Sequence, residues 1–243
     1  MVSTVDALFK HKNSAIPDIE ALPESNLEER GRQRFCSALR RFAIQEMPEM
    51  VRKDFDERVA PAHKAKGELI GDAVAIEEVM KDEASYRFYS TLRYNAQEMC
   101  FQSVQEPIER ALPGMINVAK AAIQRNPAGG SLKLDPSLAI PDYVSRLDVH
   151  LTPGCFHSEW VEDDVAQGAV VSLGARVFSA SMSHRSWGGV AKVISRWLKH
   201  ERPDFAPVRI LDIGTSSAKN LVPYVEGFPG TEAHGVDVAA PLL

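Results

Sequence analysis

One segment near the C-terminus constrains the fold most, because an apolar run is followed at once by a turn of small residues. Residues 208–213 are mostly aliphatic and β-branched, which predicts a short β-strand. Gly214 allows the backbone to turn sharply, while Ser216 and Ala218 are small enough for a ligand to approach the main chain. A helix is predicted next, and the N–H groups at its start would favour a carboxylate or phosphate. The segment is therefore a candidate binding turn.

A second strand is predicted at residues 233–237, and it ends in Asp237, 23 residues after Gly214. In nucleotide-binding folds, an acidic residue about 20 residues past the turn, at the end of the second strand, binds the ribose hydroxyls. The spacing predicts a site for an adenosine cofactor. Ser216 and Lys219 stand where a dinucleotide fingerprint needs glycines, which speaks against a nicotinamide-dependent oxidoreductase, the rival we keep open.

Residues 209–221 resemble the first motif of class I S-adenosylmethionine-dependent methyltransferases: an apolar strand, an acid, and a GxGxG-like turn. The resemblance spans residues 187–243, and its specific part is about 30 residues long. It implies that the turn lies near the methionine part of S-adenosylmethionine and that Asp237 binds the ribose hydroxyls. The cofactor-binding residues it implies are Asp212, Gly214, Thr215, Ser216, Ala218 and Asp237.

The segment departs from the family in three ways. Only Gly214 of the three usual glycines is present, and Pro223 falls early in the predicted helix. A proline there costs little in the first turn but ~3 kcal/mol deeper in a helix. The family's core usually has seven strands, whereas only two are predicted here before Leu243. We therefore expect a fragment of a longer enzyme, a degenerate core or a core completed by another subunit, with little turnover by these residues alone.

The N-terminal half differs in composition from the C-terminal segment. Residues 26–123 are rich in Ala, Glu, Arg, Lys, Gln and Met, which predicts helices. Asn26 is the predicted N-cap of the first helix, and a second helix is predicted after Asp72. Pro107 and Pro113 predict interruptions.

The predicted fold class is α/β, an N-terminal helical domain followed by the beginning of a Rossmann-like methyltransferase core. We predict a helical cap or substrate domain at residues 20–125, a connecting α/β segment at 126–187 and a partial S-adenosylmethionine-binding core at 188–243. Turn-forming residues at 126–131 are the candidate linker. A strand is predicted at 144–151, followed by a turn at Pro153.

Two histidines flank that turn and are the candidate catalytic residues. His150 and His157, with Asp148 and Glu159 nearby, could hold a metal, or position an acceptor hydroxyl and accept its proton. Ordinary polar residues at a strand end are the third interpretation. The spacing of the histidines matches no compact metal-ligand pattern, so no metal is predicted.

Two further clusters have two interpretations each. The first is a basic group on the first helix, which is either a solvated helix face or a site for an anionic partner or substrate. The second is a group of aromatic residues, which are either core or the lining of an aromatic acceptor pocket. The basic group is Arg30, Arg32, Arg34, Arg40 and Arg41, and the aromatic group is Tyr86, Phe88, Tyr89 and Tyr94.

Charge and cysteine content narrow the function classes. The 243 residues include 28 basic and 33 acidic side chains, a net charge of −5, which disfavours a nucleic-acid partner. No apolar run approaches the roughly 20 residues of a membrane span. The three cysteines are far apart, which predicts reduced thiols in the cytoplasm.

We thus expect a cytoplasmic methyltransferase with S-adenosyl-L-methionine as cofactor and a small-molecule acceptor, without nucleic-acid or membrane partners. A homodimer stays open. The alternative is a non-catalytic helical interaction protein with a degenerate nucleotide-binding core.

Overall fold

The computed structural model describes residues 22–125, 129–148, 150–179 and 189–243. In these residues the chain is mostly helical and holds one two-stranded parallel sheet. The predicted helical N-terminal half is confirmed, while α/β character is limited to the small sheet and its helices. Residues 126–128 of the predicted linker lie outside the described part, and residues 129–131 belong to neither helix nor strand.

The first described helices are three, joined end to end by two π-helical turns. The helices are α1 (Leu27–Arg41), α2 (Met47–Asp54) and α3 (Ala60–Ala65), and the π turns are Phe42–Glu46 and Phe55–Val59. Each π turn comes directly before a helix with a proline in its first turn, Pro48 or Pro61. A proline donates no backbone hydrogen bond and its ring clashes with the carbonyl four residues earlier. The wider π turns let the helix continue past both prolines.

The predicted cap of α1 is confirmed. Asn26 Oδ1 accepts a hydrogen bond of 2.9 Å from the backbone N–H of Glu29, and Glu29 Oε2 accepts one of 2.7 Å from that of Asn26. Glu29 is fully buried and also pairs with Arg110. Hydrogen bonds from Arg110 lower the pKa of the Glu29 carboxyl. This capping box therefore also ties α1 to the helix that carries Arg110.

Three further helices complete the N-terminal half: α4 (Ala73–Met80), α5 (Ala84–Gln102) and α6 (Gln105–Arg125). Helix α4 begins after Asp72 as predicted, and the Asp72 side chain caps it by accepting a hydrogen bond from the backbone N–H of Ala75. The interruption predicted at Pro107 is found just before it, at Ser103 and Val104 between α5 and α6, and Pro107 itself is the third residue of α6. The one predicted at Pro113 is wrong, because α6 continues through it. A buried stripe that includes Ile108 and Leu112 holds this helix against the core.

The strand predicted at 144–151 is also wrong. Helix α7 (Asp142–Ser145) occupies its start, and the rest of the described segment is irregular; Val149 lies outside the described residues. Leu147 is exposed and Leu151 has a φ of 57°, a left-handed conformation that a strand does not contain. Among the described residues, no strand pairs with this segment, so its alternation of residue types does not produce a strand.

Helix α8 (Ala166–Phe178) packs against α1, α5 and α6. Gly174 makes close packing possible, since a Cβ there would lie 2.4 Å from the Phe101 ring. Although it belongs to the predicted connecting segment, α8 thus lies in the helical core. The core residues are Cys36, Cys100, Phe101, Val104, Ile108, Leu112, Met115, Ala166, Ala169, Val170, Leu173 and Val177.

The C-terminal part contains the predicted strand–turn–helix–strand unit. Its elements are α9 (Gly189–Glu201), β1 (Arg209–Ile213), α10 (Leu221–Gly227), β2 (Glu232–Val236) and the 3₁₀ turn Ala240–Leu242. The strands are parallel, with Arg209 opposite Glu232 and Ile213 opposite Val236. The predicted helix at 189–200 and both predicted strands are confirmed to within one residue.

Apolar side chains of this C-terminal part are left uncovered by the described residues. On α9, Val190 is 72% and Trp197 58% exposed, and on β1, Leu211 is 60% and Ile213 78% exposed. The apolar face predicted for α9 therefore exists but does not face the core. Among the described residues, no helix combines the length and apolar character needed to cross a membrane.

Candidate cofactor-binding turn

Backbone hydrogen bonds hold the turn after β1 against the end of β2. The N–H groups of Gly214 and Thr215 both donate to the carbonyl of Val236, at 2.8 and 3.1 Å. Thr215 is buried, and its Oγ1 donates to Asp212 Oδ2 at 2.9 Å. Gly235 on β2 leaves space for the Thr215 side chain, because a Cβ at position 235 would lie 2.7 Å from it. Asp212 thus supports the turn from within β1.

Asp237, which directly follows β2, also contacts the turn, at the position expected of the ribose-binding acid. Its Oδ2 accepts a hydrogen bond of 2.8 Å from the N–H of Ser216, and its Oδ1 accepts one of 2.9 Å from the N–H of Ala239. The residue is only partly buried. A carboxylate has about four acceptor positions, so two remain for a ligand's hydroxyls.

The backbone of the turn is left-handed at every second residue. The φ angles are 73° at Gly214, 51° at Ser216 and 55° at Ala218. These are the three positions at which the GxGxG-like pattern has its glycines. A left-handed conformation costs a residue with a Cβ ~1–2 kcal/mol, and such strain concentrates at binding and catalytic sites. The turn therefore keeps a glycine-type backbone where two of the glycines are absent.

Lys219 is the residue that sequence reasoning missed. Its Nζ donates a hydrogen bond of 2.7 Å to Ser172 Oγ on α8, which in turn donates to the carbonyl of Gly168 at 2.7 Å. Burial lowers the pKa of Lys219 to about 8, and the nearby charge of Arg176 adds to this effect. The turn is thereby attached to the helical core. In the sequence, Lys219 showed only as a missing glycine, and nothing in the pattern indicated a contact with α8.

The two candidate histidines lie in the loop before α8. His150 is exposed, with its ring 5.1 Å from that of Phe156, and its carbonyl accepts from the Gln97 side chain. The Nε2 atom of His157 is buried and has no hydrogen-bond partner among the described residues. Neither histidine takes part in the hydrogen bonds that form the turn.

The loop itself is held by local hydrogen bonds. The turn predicted at Pro153 is confirmed, and the carbonyl of Pro153 accepts from Gln167 Nε2 at 2.9 Å. Asp148 Oδ1 accepts from the backbone N–H of Thr152 at 3.0 Å, which gives this carboxylate a role in shaping the loop. Within the described residues, no group of three or more His, Cys, Asp or Glu side chains could hold a metal ion.

The aromatic group is divided by the fold. Tyr86 and Tyr89 line a cavity of about 540 Å³ bounded by α2, α4 and α5, and their ring centroids are 6.3 Å apart. Phe88 is 61% exposed and Tyr94 56% exposed, so neither is core. Half of the predicted group thus faces a cavity and half faces solvent.

The basic group on α1 is divided as well. Arg32 pairs with Glu106 on α6 at 2.7 Å. Arg40 is buried, with its guanidinium carbon 3.5 Å from the centre of the Phe178 ring. Arg30 and Arg34 instead line a groove together with Arg176 of α8.

The chain shows no match to a family model, to a curated protein or to a solved structure.

Proposed function

We propose that this chain is a cytoplasmic S-adenosylmethionine-dependent methyltransferase that acts on a small-molecule acceptor. The observation that carries the proposal is the left-handed backbone at Gly214, Ser216 and Ala218, beside the carboxylate of Asp237. It supports the resemblance at the positions where the sequence departs from it. The strand–turn–helix–strand unit would be the opening of a Rossmann-like core. The cytoplasmic location rests on three cysteines that are all free.

Each residue of the turn has a proposed role. The two unused acceptor positions of Asp237 would bind the ribose hydroxyls, and the backbone of Gly214, Thr215, Ser216 and Ala218 would lie along the methionine part. Asp212 would act through Thr215, because its carboxylate accepts the Thr215 hydroxyl. It is therefore a positioning residue.

Methyl transfer would depend on how the chain positions the two reactants. S-adenosylmethionine, when bound, supplies an electrophilic methyl group. The chain's contribution would be to hold the acceptor in line with that group, since correct positioning of two reactants supplies much of the rate of such a displacement. His150 and His157 stay candidates for accepting the acceptor's proton, and the unpartnered Nε2 of His157 favours His157 of the two.

A second candidate function has an observation of its own. The uncovered apolar side chains of α9 and β1, such as Trp197 and Ile213, form the kind of surface that marks protein interaction sites. They favour a non-catalytic interaction protein whose nucleotide-binding core is degenerate. That alternative predicts no affinity for S-adenosylmethionine.

The test is a calorimetric titration with S-adenosylmethionine of the wild type, Asp237→Ala and Asp204→Ala. Asp204 is an exposed acid between α9 and β1 and serves as the matched control. We expect Asp237→Ala to weaken binding at least tenfold, about 1.4 kcal/mol, and Asp204→Ala to leave it unchanged. Undiminished affinity in a folded Asp237→Ala variant would overturn the assignment of the ribose site.

A further inference from the structure

An arginine-lined groove lies between the start of α1 and the end of α8. It consists of two adjoining cavities of about 690 and 250 Å³, which share Arg30 and Arg176. The larger is in the range of small-molecule sites. Arg34 lines the smaller one. Three guanidinium groups therefore face one groove on a chain whose net charge is −5.

Within the described residues, these three charges are not neutralised by ion pairs. Arg30 and Arg34 stand one helical turn apart on α1, where like charges repel each other. No ion pair joins Arg30, Arg34 or Arg176 to another described residue, whereas Arg32 on the same helix pairs with Glu106. Glu24 is the single acid among the described residues that line the groove. Arg30 also donates to the carbonyl of Ser25, which uses one of its five N–H donors.

The rest of the lining is suited to the body of an amphipathic ligand. Leu22, Leu173 and Val177 give the larger cavity an apolar wall. Ser37, which lines the smaller cavity beside Arg34, has a buried Oγ without a hydrogen-bond partner among the described residues. A hydroxyl and guanidinium groups together are the donors that bind carboxylate and phosphate oxygens.

The groove also begins close to the candidate cofactor turn. Arg176 follows Ser172 by four residues on α8, which places both on one face of the helix. Ser172 accepts the hydrogen bond from Lys219, directly after the turn. A ligand held by Arg176 would therefore lie near the end of the turn.

We propose that this groove binds a small amphipathic acid, with its carboxylate or phosphate group held by Arg30, Arg34 and Arg176 and its apolar body against Leu173 and Val177. Under the proposed function this acid would be the methyl acceptor, and that identification alone rests on the proposed function. Binding itself does not, because it requires no cofactor.

The experiment is a titration of the full chain without cofactor, followed by calorimetry or NMR. The anionic probes are benzoate and phenyl phosphate. Benzyl alcohol is a neutral probe with the same aromatic ring, and inorganic phosphate is an anionic probe without an apolar group. The variant is Arg34→Gln combined with Arg176→Gln. Arg41→Gln is the matched control, since Arg41 is exposed on the same helix and does not line the groove.

We expect both anions to bind more tightly than benzyl alcohol, with an affinity that falls as salt screens the charges. The double variant should lose at least roughly tenfold in affinity, and Arg41→Gln should lose nothing. Tighter binding of phenyl phosphate would identify a phosphate ligand, and tighter binding of benzoate a carboxylate. Weaker binding of inorganic phosphate than of phenyl phosphate would support the role of the apolar wall.

Failure to bind either anion would overturn the proposal, as would equal binding of benzyl alcohol or equal losses in the double variant and Arg41→Gln. If the double variant does not fold, the same comparison is made with each single variant and with the salt dependence of anion binding by the wild type. Unchanged affinity in both single variants, or affinity that does not fall with salt, would overturn the proposal. The outcome is distinct from that for the cofactor: Arg34-dependent binding of an anion without affinity for S-adenosylmethionine would keep this site and remove the methyltransferase proposal.

Discussion

The backbone N–H of Ser216 donates a hydrogen bond of 2.8 Å to Oδ2 of Asp237, although the two residues are 21 positions apart. This bond joins the turn after β1 to the end of β2. The same carboxylate accepts from Ala239, so Asp237 organises the candidate site as well as facing it. Replacing it should therefore change both stability and cofactor affinity.

Asp237→Asn tests the structural part of this role. The side-chain amide keeps one oxygen but brings an NH₂ group, so one of the two backbone N–H groups loses its acceptor. We expect the free energy of unfolding to fall by about 1–3 kcal/mol, measured by urea denaturation. Asp204→Asn is the control. Equal stability of Asp237→Asn and the wild type would show that these hydrogen bonds do not hold the turn.

The left-handed turn predicts that two glycine substitutions stabilise the protein. Ser216→Gly and Ala218→Gly should each raise the free energy of unfolding by about 1 kcal/mol, because glycine adopts these angles without the Cβ penalty. Thermal unfolding measures the effect. In the control Asn220→Gly, at a φ of −82°, glycine should instead lower stability slightly. A loss of stability in both turn variants would contradict the conformation.

The lowered pKa of Lys219 predicts a pH dependence of stability. The pKa is about 8 in the folded chain against an ordinary value of 10.5, so between these pH values the unfolded chain binds more protons. Stability then rises with pH in this window. Compared with Lys219→Met, the wild type should gain stability from pH 8 to pH 10.5, as measured by denaturation at each pH.

The control for this profile is Lys53→Met, at an exposed lysine of α2, which should show no such gain. If the wild type instead lost stability relative to Lys219→Met as the pH rises, the slope of stability against pH would have the opposite sign. That result would contradict the burial of the Lys219 amine.

The capping box predicts that Glu29 stabilises the folded chain and that this stabilisation is lost at acidic pH. Glu29→Ala removes the acceptor for Asn26 and the partner of Arg110, and should cost about 2 kcal/mol of stability. Because the pKa of Glu29 is lowered from 4.5 in the folded chain, this stability is present above that value and is lost as the pH falls below it. The difference between the wild type and Glu29→Ala should shrink in acid.

Glu28→Ala is the matched control, since Glu28 is an exposed neighbour in the same first turn. A difference between the wild type and Glu29→Ala that stays constant down to strongly acidic pH would exclude the ionised carboxylate as its source.

Features that depend on neighbouring residues could be predicted from the sequence. The Asn26 cap, the strand before Gly214 and the helix after Asp72 each follow from a few adjacent side chains. Asp237 could be placed beside the turn because parallel strands bring their carboxyl ends to one edge of a sheet.

Features that depend on distant contacts could not be predicted. The bond between Lys219 and Ser172 joins residues 47 positions apart, and no periodicity indicates it. Pro113 looked like a helix break, but the buried stripe around it keeps α6 continuous. The left-handed angles at Ser216 and Ala218 are set by the hydrogen bonds of the turn, while the residue types alone favour other conformations.

The most direct test of the central claim is a calorimetric titration of the wild-type chain with S-adenosylmethionine. We predict saturable binding at one site, competition by S-adenosylhomocysteine and no competition by NAD. Absence of binding, or binding that NAD displaces and S-adenosylhomocysteine does not, would contradict the methyltransferase assignment.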